Sequence, residues 1–325
     1  MIVSLFRSNR PAILLALALL VPGLFLAGWW RSAMQPGPSM EFYAWVASLQ
    51  GPAPWAAGVF RMLVIALMAV QITFLVNDAE LMDRRTHLPA LLFPLMVGAM
   101  SGSLALEPAL LGMPLVIAAM ARSWSIVSSK RALAALFDAG LLLGMAALCY
   151  LPYAFLLVVV WASISVIRPF QLREYLLPLL GVALPLYLAW ALGMLMGHEA
   201  WRPMLTVVAD VPAGQLPTVL PRWLDILLLL DLLGLVVASL FVYAGSYQRG
   251  VMREKNMRAS FMAFFFALGV LIALVRLLNG SFPSILLAAP LSVFCSYALQ
   301  SPRRAWLSEP AVLVLLVAAL WRQWQ

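Results

Sequence analysis

The chain has 325 residues, 64% of them hydrophobic and only 10% charged, with a mean hydropathy of +0.98. Soluble domains are roughly half apolar and about a quarter charged, so this chain has too little polar surface to face water and its solvent must be lipid. The formal net charge of +8 does not point to nucleic acid, because Lys and Arg are spread over short gaps between apolar runs and form no basic domain.

In chain order, Arg7 and Arg10 precede an apolar run from Pro11 through Trp30 that has no small-x-small cleavage site. A retained first span is therefore expected, and not a signal peptide. About 20 apolar residues cross a bilayer. On that measure the spans fall at 12–30, 57–77, 88–102, 105–121, 132–148, 150–167, 175–197, 223–247, 259–278, 282–299 and 306–322. Two pairs are closely joined. Only Ser101, Gly102 and Ser103 interrupt the apolar run across 88–102 and 105–121, and 132–148 turns into 150–167 near Tyr150 and Pro152. Either pair is a hairpin, one broken helix or a re-entrant segment.

Charge decides between these. With the N-terminus inside and the loops alternating, the inner segments hold Arg7 and Arg10; Arg84 and Arg85; Arg122, Lys130 and Arg131; Arg168 and Arg173; Arg249, Arg253, Lys255 and Arg258; Arg303 and Arg304. Merging either pair would invert every later loop and break the pattern, so the positive-inside rule favours both hairpins. The expected fold is an all-α polytopic transmembrane bundle of about eleven spans. It forms a single membrane domain over 1–325, N-terminus inside and C-terminus outside. Trp29, Trp30, Trp55, Trp201, Trp223, Trp306 and Trp321 fall near the expected interfaces, where amphipathic rings belong.

Two outer loops are long. In 31–56, Pro36, Pro38, Pro52 and Pro54 bracket a stretch in which Ser39 caps a short helix carrying Phe42, Trp45, Val46 and Leu49 on one side, the pattern of an interfacial amphipathic helix. The loop 198–222 carries Pro203, Pro212, Gly214, Pro217 and Pro221 and is expected to be irregular.

Ionisable groups within spans are costly and mark candidate sites. Asp231 lies among leucines about 12 Å below the outer surface. Arg276 and Arg61 lie in outer halves of their own spans, and either would pair with Asp231 in a structural reading. Arg222 and Asp225 are three apart and share a helix face. Asp138 is a shallow inner-side charge that would answer Lys130 or Arg131. The outer loops hold Glu41, Glu107, Glu199 and Asp210, either as solvated loop acids or as a base or metal ligand.

His87 is expected inside and His198 outside, so they cannot share a metal; no metal site is expected, and no GxSxG, HExxH or phosphate-binding loop is present. Cys149 and Cys295 lie in apolar runs as small core residues, with no disulfide framework.

The stretch from Phe137 to Trp190 resembles an uncharacterised family of multi-spanning inner-membrane proteins found in Bacteroidota. The resemblance rests on Phe137-Asp138, Leu151-Pro152-Tyr153, Arg168-Pro169-Phe170 and Arg173-Glu174-Tyr175. It implies a place in the cell envelope and the inner membrane. A looser, architectural likeness is to polyprenyl-phosphate-dependent glycosyltransferases of the GT-C type, which place acidic residues in the first and second outer loops. Glu41 and Glu107 match those places, but Gly28-Trp29-Trp30-Arg31 stands where the family carries an acidic pair after the first span.

Two functional readings remain open. In one, the chain is a non-catalytic subunit or carrier-type envelope protein built around Asp231, Arg276 and Arg61. In the other, it is a GT-C-like enzyme using a lipid-linked sugar at the outer face. Glu41 or Glu107 would then be base or ligand to a divalent metal, with Arg202, Arg222 and Arg276 neutralising a lipid phosphate. The expected partners are membrane lipid, a lipid-linked glycan or other envelope proteins; no resident cofactor is expected.

Overall fold

A computed structural model describes residues 2–8, 11–26, 40–50, 54–100, 106–127, 132–167, 171–195, 222–279, 285–300 and 305–324. Arg202 and nearly all of the loop 198–222 lie outside the described residues, as do Ser39 and the rest of 31–39 and residues 51–53 of the first outer loop. Thirteen α-helices form among them: α1 Ile2–Phe6, α2 Leu17–Phe25, α3 Glu41–Gln50, α4 Pro54–Asp78, α5 Leu88–Met100, α6 Pro108–Trp124, α7 Ala132–Cys149, α8 Leu157–Ile167, α9 Leu172–Leu195, α10 Arg222–Arg249, α11 Met252–Asn279, α12 Ile285–Gln300 and α13 Ala305–Trp324. Short 3₁₀ turns, Pro11–Ala16 and Leu151–Leu156, lead into α2 and α8. Helices dominate the described residues, which suits lipid, since a helix satisfies its own backbone polar groups.

Five helices, α4, α7, α9, α10 and α11, are long and apolar enough to cross a membrane. The protein is thus an all-α membrane protein. The segment 88–102 is different. Its helix α5 has 13 residues, about 20 Å at 1.5 Å per residue and short of a hydrocarbon core of about 30 Å. Residues Leu88 to Ala99 are all buried, walled in by α4, α12 and α13. Its uniform apolarity therefore reflects burial in protein, which hydropathy cannot tell from burial in lipid.

The loops gather at two ends of the bundle. At one end, Arg7 donates two hydrogen bonds to the Leu299 carbonyl (3.2 and 2.8 Å), the Gln300 amide donates to the Arg84 carbonyl, and Arg258 meets Asp83. At the other, Arg322 donates to the Met100 carbonyl and pairs with Asp225, while Tyr43 reaches Leu106. Among the described residues, the first end carries Arg7, Arg84 and Arg258.

The tightest packing is between α7 and α9. Buried Pro178, Gly181, Val182 and Pro185 make one stripe of α9, while Leu180 and Leu188 on its other faces are exposed. Gly140 and Gly144, four apart on α7, lie under that stripe. A Cβ built on Gly140 would stand 2.2 Å from the Pro178 carbonyl oxygen, and one on Gly181 2.6 Å from that of Phe137. Small residues let membrane helices approach backbone to backbone, where dispersion contacts and not the hydrophobic effect hold them.

His87 lies in the linker before α5. Its N–H donates to the Phe6 carbonyl (3.0 Å), its side chain is 6% exposed, and neither ring nitrogen has a hydrogen-bond partner. Burial lowers its pKa from the ordinary 6.5. A depressed folded-state value means that the unfolded chain binds the extra proton first. The contribution is complete above 6.5 and is lost as pH falls through the folded value. Thermal stability in detergent should therefore be flat above about pH 7 and decline below it; His87→Phe should flatten that decline, and an unchanged slope would contradict the assignment.

Candidate functional site

The residues that gather chemistry lie at the end opposite the basic loops. Glu107 stands immediately before α6 in extended backbone (φ −75, ψ 146), with Pro108 at the first helical position. Proline there is preorganised and forfeits no hydrogen bond. The Glu107 carbonyl accepts from the N–H groups of Leu110 and Leu111 (3.0 and 3.2 Å), while its carboxylate makes no capping bond. That carboxylate acts electrostatically on Arg61 of α4, although the two form no direct ion pair.

Arg61 is 3% exposed, and its Nε and Nη2 have no hydrogen-bond partner. Its guanidinium lies 5.2 Å from the Phe25 ring centroid of α2, a cation–π contact. A buried cation with unused donors is costly, and such exceptions call for an explanation in function or a missing ligand.

Tyrosines complete the cluster. Tyr150 and Tyr153 both lie within electrostatic reach of Glu107. Their rings meet edge to face at 5.3 Å. Tyr153 is fully buried and donates to the Ala109 carbonyl. Across the top, Tyr43 of α3 donates to the Leu106 carbonyl (2.7 Å) and packs with buried Cys149 and Leu111. The short helix expected in the first outer loop is therefore present. It is pinned by Tyr43, while Trp45 is exposed.

The structure joins some expected site residues and separates others. Arg61 and Glu107 come together. Glu41 is the first residue of α3, so its backbone lies at the same end; its side chain, like that of Arg222, is outside the described residues. Asp231 pairs with neither Arg61 nor Arg276. It is half-buried on α10 beside buried Cys295 of α12, and its Oδ2 has no hydrogen-bond partner. Arg276 is exposed in the last turn of α11. Asp225 is paired across the bundle with Arg322 at 3.5 Å, a tertiary contact that helix spacing alone could not show. Among the described residues no three His, Cys, Asp or Glu side chains come together as a metal site.

Sequence reasoning missed one constellation entirely. Arg258, counted as a topological charge, is 1% exposed: it donates to the Leu81 carbonyl (2.9 Å), the Ser246 carbonyl and Asp83 (2.8 Å). Tyr297 also donates to Leu81, and Ser246 to Asp83. These satisfied bonds tie α10, α11, α12 and the α4–α5 linker together, which makes the cluster architectural; the contrast with the unsatisfied Arg61 marks the latter as the candidate site.

No curated protein and no solved structure matches the chain. A family model does, over residues 54–322, from α4 into the last turn of α13. The chain therefore belongs to the family of unknown function DUF6427.

Proposed function

We propose that the protein is a multi-pass component of a bacterial inner membrane, N-terminus inside and C-terminus outside, that binds an anionic headgroup in the outer half of its bundle as a carrier-type or non-catalytic subunit. The observation that carries this is Arg61, a buried guanidinium with two unused nitrogens. A phosphate oxygen would satisfy both nitrogens through charge-assisted bonds. Glu107 supplies the balancing charge when the headgroup is absent, and Tyr150 a phenol within electrostatic reach.

The test is binding of a polyprenyl phosphate to the purified protein, followed by native mass spectrometry. Arg61→Gln should weaken retention by about tenfold, the weight of one charge-assisted bond. Glu107→Gln should strengthen it, because the internal competitor for Arg61 is gone. Equal retention by all three proteins would refute the reading.

A second reading, a GT-C-like enzyme acting on a polyprenyl-phosphate-linked sugar, is favoured by the Tyr43–Leu106 bond, which brings the helix headed by Glu41 to the Glu107 end. Glu107 would then be a base or a ligand to a divalent cation. Under this reading Glu107→Gln keeps binding but abolishes sugar transfer.

A further inference from the structure

A cleft opens at the opposite end, between α4, α6 and α11, with a volume of about 400 Å³. That is within the range of sites that hold a drug-sized ligand. Its rim carries Asp78, the last residue of α4, and Arg253, near the start of α11, and neither makes an ion pair with a described residue. Its wall includes Trp124 and Gln71. Trp124 is 4% exposed, and its Nε1–H, like the Oε1 of Gln71, has no hydrogen-bond partner. An unpaired buried donor and acceptor beside one free acid and one free base are the complement of a ligand that has both charges.

The remaining wall is apolar. Phe74, 54% exposed, belongs to both the cleft and the outward face of α4, so the cleft is continuous with the lipid-facing surface. A water-soluble zwitterion would leave that wall uncovered, whereas a diacyl lipid covers it with a chain. The rim lies at the ends of α4 and α6, the level at which tryptophan and headgroups meet.

We propose that this cleft is a binding site for a zwitterionic phospholipid with a primary ammonium. Arg253 takes the phosphate, Asp78 the ammonium, and the chain runs down past Phe74. The site is independent of the Arg61 cluster, which is at the other end of the bundle.

The experiment is native mass spectrometry of the detergent-purified protein with dioleoyl phosphatidylethanolamine, phosphatidylcholine and phosphatidylglycerol. Glycerophosphoethanolamine, the headgroup without chains, serves as competitor. Phosphatidylethanolamine should be retained about tenfold better than the other two. Asp78→Asn should erase its margin over phosphatidylcholine, and Arg253→Gln should weaken both. Both side chains are exposed, so the variants are expected to fold; Ala118→Trp, which fills the cleft from its wall, should abolish retention in a protein that still elutes as one peak. Equal retention of the three lipids, a margin over phosphatidylcholine that survives Asp78→Asn, retention undiminished by Arg253→Gln, or full competition by glycerophosphoethanolamine would overturn the proposal.

Discussion

Gly140→Leu is expected to prevent the α7–α9 pair from forming its native packing and to remove most monodisperse protein from a detergent extract. The added Cβ would stand 2.2 Å from the Pro178 carbonyl oxygen and 2.7 Å from its Cα. These are backbone atoms, so no rotamer change relieves the clash and the helices must separate. Over-packing of a core costs about 1–3 kcal/mol where side chains can yield, and the cost here should lie at or above the top of that range. Gly140→Ala should already be harmful, since a Cβ alone makes the contact. Gly234→Leu on α10 is the control: nothing lies within 4 Å of its Cβ, and fluorescence-detected size exclusion should show an unchanged peak. Equal behaviour of the Gly140 and Gly234 variants would show that backbone approach is not what holds these helices.

The second large effect is expected at Arg258. Arg258→Leu removes the donors to the Leu81 and Ser246 carbonyls and the partner of Asp83. Asp83 is 60% exposed and returns to water. Leu81 keeps the Tyr297 hydroxyl, so the Ser246 carbonyl bears the main loss. Counting the lost bonds, two of them buried, the cost should be about 2–4 kcal/mol. Arg258→Lys should recover only part of this, because an ammonium cannot reproduce a guanidinium fork aimed at three acceptors. Tyr297→Phe should cost about 1 kcal/mol. Thermal unfolding in detergent ranks the three; a tolerated Arg258→Leu would contradict the architectural role.

The contrast between Arg61 and Arg258 shows how far composition and spacing reach. In the sequence both are single arginines near the ends of apolar runs. Its sign is all that the sequence shows of Arg258, whose burial depends on residues 81–83 and 246, which are adjacent only after folding. Arg61 reads as an intramembrane charge, yet its neighbour is Glu107 and not Asp231. Helix order does not say which helices touch, and α4 packs on α6 while α10 packs on α12 and α13. The Glu107 carboxylate was legible as an acid in a tight outer loop. That it carries no capping bond was not.

Glycine spacing carries a further signal. Gly140 and Gly144 stand four apart inside the stretch that carries the family resemblance, and small-xxx-small is the pattern of close helix approach in membranes. Periodicity alone could not name the partner, because beyond its first turn α9 is apolar on every face, and its buried stripe differs from the rest mainly in carrying Pro178, Gly181 and Pro185 where the exposed faces carry leucine.

By itself, the sequence determined that this chain dissolves in lipid and that it is helical, because hydropathy is a local quantity that needs no partner. Only the tertiary structure decided that α5 is wrapped in protein, that Arg258 is satisfied, and that Arg61 stands buried beside Glu107 with donors to spare. Those outcomes depend on which side chains meet across helices far apart in the chain, and the free energy of a buried charge is set by those neighbours and not by its own position.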